Sequence, residues 1–130
     1  MMSIKILFFS IILSAILFTG YAQDSTLKSI SVEQLNESIN LDSNLVILDV
    51  RNVDELTGPL GEIKGAINIP LLELESKLYE LEKFRNKDIA VICRSGRRSA
   101  IATGLLVKKG FNAENVLGGM TEYRKDEMGK

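Results

Sequence analysis

Residues 88–110 read Asp88-Ile89-Ala90-Val91-Ile92-Cys93-Arg94-Ser95-Gly96-Arg97-Arg98-Ser99-Ala100-Ile101-Ala102-Thr103-Gly104-Leu105-Leu106-Val107-Lys108-Lys109-Gly110. The run from Ile89 to Ile92 is apolar without a break, which predicts a short strand buried on both faces. From Ser99 to Lys109, apolar residues at 101, 102, 105 and 106 fall on one face of a helix, and Lys108, Lys109 and Gly110 supply its stop signals. The only cysteine of the chain, Cys93, therefore sits in a loop between a strand and a helix N-terminus.

Unpaired N–H groups at a helix start favour an anion or a thiolate. Such a setting lowers a cysteine pKa from ~8.5 into the range of roughly 3.5–7.5. Arg94, Arg97 and Arg98 crowd the same helix end, where positive charge is unfavourable unless something negative lies among them. A thiolate with an anionic substrate would resolve the conflict. Removing each arginine is then expected to relieve repulsion and stabilise the fold slightly. A buried inert cysteine beside a solvated basic turn is the plainer alternative.

The chain has 130 residues, 45% apolar and 25% charged, as suits one globular domain. Residues 1–22 read separately. Lys5 precedes an apolar run from Ile6 to Phe18, and Gly20-Tyr21-Ala22 places small residues at a cleavage site, the pattern of a signal peptide. The run falls short of the ~20 residues that span a bilayer, so residues 23–130 are expected to be periplasmic or secreted. An uncleaved membrane anchor is the competing reading. Lys5 is the only charge in the segment, so the 16 basic residues become 15 against 17 acidic, a net charge of −2. That balance argues against nucleic acid as a partner.

There is no histidine, which excludes Ser-His-Asp and Cys-His catalysis and most zinc sites. No metal or cofactor is expected. A lone cysteine in an exported protein either pairs with another molecule or stays free for chemistry.

Elsewhere element types alternate. Ser29-Ile30 reads as a brief strand, and Ser31 with Gln34 as the capping box of a helix through Ile39, with Val32, Leu35 and Ile39 buried. Leu45–Val50 is an apolar strand interrupted by Asp49, a carboxylate for which Arg51 is a candidate partner. Residues 51–64 read as a loop, 66–69 as a short extended piece, and Leu71, Leu74, Leu78 and Leu81 predict an amphipathic helix over about 71–83. A strand at 111–117 and a polar helix at about 120–127 complete an α/β pattern: a central parallel sheet with helices on both faces. Sites in such sheets lie at the carboxyl ends of strands.

Four motifs resemble, in order, those of single-domain rhodaneses: Leu48-Asp49-Val50-Arg51, Gly61 to Pro70, Cys93 to Ser99, and Leu117-Gly118-Gly119. The resemblance implies a rhodanese-like fold, a persulfide on Cys93 and transfer of sulfane sulfur from a small anionic donor such as thiosulfate to cyanide, a thiol or a protein thiol. It implies donor contacts from Arg94, Ser95, Gly96, Arg97, Arg98 and Arg51, with Arg94 and Arg98 screening donor charge, and a structural role near the site for Asp49 and Ser99. Two positions depart from the pattern: Glu62 stands where histidine is usual, and Tyr123 near where tryptophan is common. Phosphatases and arsenate reductases also hold a thiolate within a loop of N–H groups, but they place arginine after five intervening residues. Here that position is Ser99, and Arg98 comes one place earlier. A non-catalytic or sulfur-carrying module is the remaining alternative.

Overall fold

The computed structural model describes residues 27–42 and 44–130. The leader read at residues 1–22 lies outside them, and no described helix is long and apolar enough to cross a membrane. Among the described residues, five strands form one sheet: β1 (Ser29–Ile30), β2 (Leu45–Asp49), β3 (Ile67–Asn68), β4 (Asp88–Ile92) and β5 (Asn112–Val116). Their spatial order is β1-β5-β4-β2-β3, with every neighbouring pair parallel. Four helices, α1 (Val32–Leu41), α2 (Leu71–Leu74), α3 (Arg97–Lys108) and α4 (Gly119–Met128), cover it.

The two central strands are apolar throughout because each faces a core on both sides. Val46, Leu48, Ile89 and Val91 pack with Leu74, Leu81, Ala102 and Leu106 on one face. Ile47, Ala90 and Ile92 point the other way, onto Val32, Leu35, Met120 and Tyr123. Leu35, Leu48, Leu74, Leu81 and Leu106 have no exposed surface, and each contributes roughly 1.5–3 kcal/mol by burial. Tyr123 thus spends its ring on the core of the sheet rather than on the site.

The predicted elements hold with four changes. The helix expected over 71–83 stops as α-helix at Leu74 and continues as a 3-10 helix over Glu75–Phe84, with a kink at Lys77 (φ −114°, ψ 15°). A three-residue repeat aligns Leu78, Leu81 and Phe84 against the core, where an α-helix would rotate them apart. The loop over 51–64 contains a 3-10 turn, Val53–Thr57. Helix α3 starts two residues early, which brings Arg97 and Arg98 into its first turn. Ile39, expected in the core, is 38% exposed, because only the first half of α1 lies on the sheet. The capping box is present: Gln34 N–H donates to Ser31 Oγ at 3.1 Å, and Ser31 N–H donates to Gln34 Oε1 at 2.9 Å.

From β2 the chain leaves toward β3 at one edge, and from β4 it leaves toward β5 on the other side. The carboxyl ends of β2 and β4 therefore flank the point where connections diverge, the usual place for a site in a parallel sheet. Asp49 ends β2, and Cys93 follows β4.

Candidate active site

Cys93 lies at the floor of the 93–98 loop and is 1% exposed. Its Sγ accepts the Gly96 N–H at 3.1 Å and lies 3.2 Å from Ser99 Oγ. Burial by itself pushes the thiol pKa up. The Ser99 hydroxyl and the backbone N–H groups of Ser99, Ser95 and Gly96 outweigh it, and the net shift is downward. The loop thus favours a thiolate through hydrogen bonds, with no histidine involved.

Two glycines make this geometry possible. Gly96 caps α3 in the left-handed region (φ 96°), which turns its N–H back onto the sulfur. Gly119 (φ 58°) lets the start of α4 press on the loop: a Cβ there would collide with the Cys93 carbonyl and approach that of Arg94 to 2.7 Å. The first N–H groups of α4 bind those carbonyls, Met120 to Cys93 O at 2.8 Å and Thr121 to Arg94 O at 3.1 Å.

The three loop arginines separate in role. Arg94 and Arg97 are exposed, and neither enters an ion pair among the described residues. Arg98 instead forms a two-pronged ion pair with Glu55 of the 53–57 turn, at 2.7 and 2.8 Å. That bond, against a smaller opposing effect of burial, holds the Glu55 carboxyl down to about 2. Glu55 was not legible as a site residue. It is 43 residues from Arg98 in the chain, and its one local signal is its own bond to Asn52 N–H at 2.9 Å.

Arg51, expected among the donor ligands, lies in a buried corner beside the loop. It is 1% exposed, its Nε and Nη2 bind the Asp49 carboxylate at 2.7–3.0 Å, and Nη2 also donates to Gly61 O at 2.7 Å. Asn68 Nδ2 closes the corner on the carbonyls of Asp49 and Arg51. Asp49 has the partner anticipated for it, and the pair joins the end of β2 to the 58–65 loop. From α4, Arg124 grips the same loop at the carbonyls of Leu60 and Glu62, while the Glu62 side chain is exposed. Ser95 is exposed at the rim, and Ser99 is fully buried against the sulfur. Among the described residues, no three His, Cys, Asp or Glu side chains gather as a metal site requires.

Residues 31–126 match the family model of the rhodanese-like domain. The chain belongs to the rhodanese family. This rhodanese-like domain is 39% identical to a rhodanese-related protein of Thermoplasma volcanium, with a TM-score of 0.68 over 76% of this chain and 92% of that one. It is 35% identical over 104 residues to the Bacillus subtilis protein named "Putative sulfurtransferase YtwF", covering 80% of this chain and 97% of the relative. It is also 38% identical over 100 residues to "Putative sulfur carrier protein YrkF" of the same organism, covering 76% of this chain. The chain spans about half of that second relative, 52% of its length.

Proposed function

We propose that this protein is an exported sulfurtransferase that carries sulfane sulfur on Cys93, from thiosulfate or a related anionic donor to a thiol, a protein thiol or cyanide. The observation that carries the reading is the paired grip on Cys93 Sγ by the Gly96 N–H and the Ser99 hydroxyl. The thiolate attacks the outer sulfur of the donor, the donor's S–S bond breaks, and sulfite leaves with the electron pair. The loop N–H groups hold the resulting persulfide anion. An acceptor thiolate or cyanide then takes the outer sulfur and returns Cys93 to the thiolate.

Support for a phosphate-ester or arsenate reading is weaker. The residue that follows Cys93 after five intervening places is Ser99, whose hydroxyl bonds the sulfur, and the arginine before it is held by Glu55. Export rests on the composition of residues 1–22. In that reading the chain begins at Gln23 in the periplasm or medium, and it meets the membrane only if the segment stays uncleaved.

Intact mass after incubation with thiosulfate tests the proposal. One added sulfur atom that cyanide removes as thiocyanate supports it, and Cys93→Ser abolishes both. Sulfur uptake without catalytic turnover would mark a carrier, and an unchanged mass with phosphate-ester hydrolysis would mark a phosphatase.

A further inference from the structure

Asn115 lies near the end of β5, beside Val91 of β4 and Ser29 of β1, and is 6% exposed. By strand alternation it shares the face of Ala113, which packs in the same core as Val91 and Cys93. Its Nδ2 donates to Gly96 O at 3.3 Å. Its Oδ1 is buried and has no hydrogen-bond partner among the described residues. A leucine of similar size would avoid that desolvation penalty. The amide is therefore unfavourable for the fold by itself, and the one thing it does is hold Gly96.

Gly96 needs holding. Its carbonyl takes the first helical bond of α3, from Ala100 N–H at 3.2 Å, while its own N–H turns the other way onto Cys93 Sγ at 3.1 Å. A glycine in the left-handed region has no side chain to fix that orientation. The Asn115 amide is the anchor that reaches it from the sheet.

We propose that Asn115 is a positioning residue for the sulfur chemistry: its amide holds the Gly96 carbonyl and so restricts the Gly96 backbone, which keeps the N–H of the preceding peptide unit aimed at Cys93 Sγ. The inference rests on Cys93 as the nucleophile and deepens that reading by naming the rigid element that keeps its donor in place. The charged groups around the loop are the Arg98–Glu55 and Arg51–Asp49 pairs and the exposed Arg94 and Arg97. The Asn115 side chain hydrogen-bonds to none of them, so replacing it leaves their field unchanged.

The test is the pH dependence of Cys93 alkylation by iodoacetamide, measured on the full chain for wild type, Asn115→Leu and Asn115→Ala, beside thermal melts. The alkylation midpoint rises by about one pH unit in the variants, a roughly tenfold loss of thiolate below the midpoint. The leucine variant melts no lower than wild type, because it no longer buries an unpartnered acceptor. Ile47→Val, a control on the opposite face, lowers the melting temperature without moving the midpoint. An unchanged midpoint in whichever Asn115 variant folds overturns the proposal and leaves Asn115 a packing residue. Alkylation reads the thiolate itself, so a wild type that takes up no sulfur from thiosulfate refutes the proposed function without touching this result.

Discussion

Glu55 and Arg98 meet in a two-pronged ion pair 43 residues apart in sequence, with both oxygens of the carboxylate engaged at 2.7 and 2.8 Å. The pair changes the electrostatics of the Cys93 loop. Helix α3 has no acidic residue in its first turn, where Arg97 and Arg98 sit against the positive end of its dipole. The protein's own carboxylate, rather than a substrate, neutralises one of these charges.

The stabilisation expected on removing each loop arginine consequently reverses for Arg98. Arg94→Ala and Arg97→Ala relieve helix-end repulsion and raise stability by about 0.3–1 kcal/mol each. Arg98→Ala leaves the Glu55 carboxylate without its partner and lowers stability by up to about 1 kcal/mol. Thermal melts of the three single variants show two small gains and one loss. With thiosulfate as donor, kcat/KM falls more for Arg94, whose guanidinium is exposed and unpaired among the described residues, than for Arg98, whose charge Glu55 already neutralises.

Acid should break the same pair. The Glu55 carboxyl is held at about 2 in the folded protein against 4.5 for the ordinary group. A depressed pKa contributes stability that is fully present above 4.5 and is lost as pH falls from there toward 2. Both side chains are about a quarter to a third exposed, so the loss is about 1 kcal/mol or less. Glu55→Gln lacks this component, and its stability curve runs flatter below pH 4.5 in denaturant titrations. The same substitution frees the Arg98 charge and lowers KM for a dianionic donor. An unchanged KM would show that Arg98 does not face the donor.

Ser99→Ala removes the hydroxyl 3.2 Å from the sulfur and leaves burial, which raises the thiol pKa, less opposed. The pKa moves up, so thiolate chemistry now requires higher pH. At neutral pH the rate of persulfide formation drops by about tenfold for each pH unit by which the thiol midpoint rises, and it recovers as pH rises. Single-turnover kinetics across pH would show a displaced profile with the same plateau.

Arg51→Met separates a structural from a donor-binding role. It leaves the buried Asp49 carboxylate without its partner and costs about 3–5 kcal/mol. Asp49→Asn with Arg51→Met removes both charges and recovers much of that loss in chemical denaturation. If the double variant also transfers sulfur at near wild-type KM, Arg51 makes no contact with the donor.

Local features were legible in the order of the residues. Four apolar residues before Cys93 and a helical repeat after it make a strand, a loop and a helix, because side-chain periodicity and terminal signals act over a few residues. The parallel sheet with helices on both faces followed from alternation, since strands apolar on both sides must be covered on both sides. Whatever depends on approach between distant segments came from the folded chain. Folding paired Arg98 with Glu55, carried Arg51 beyond its anticipated partner Asp49 onto the carbonyl of Gly61, and brought Asn115 under Gly96. None of these has a periodic or compositional signature. A charge or amide on a loop can meet many partners, and only the register of the strands and the seating of α3 and α4 on them select one.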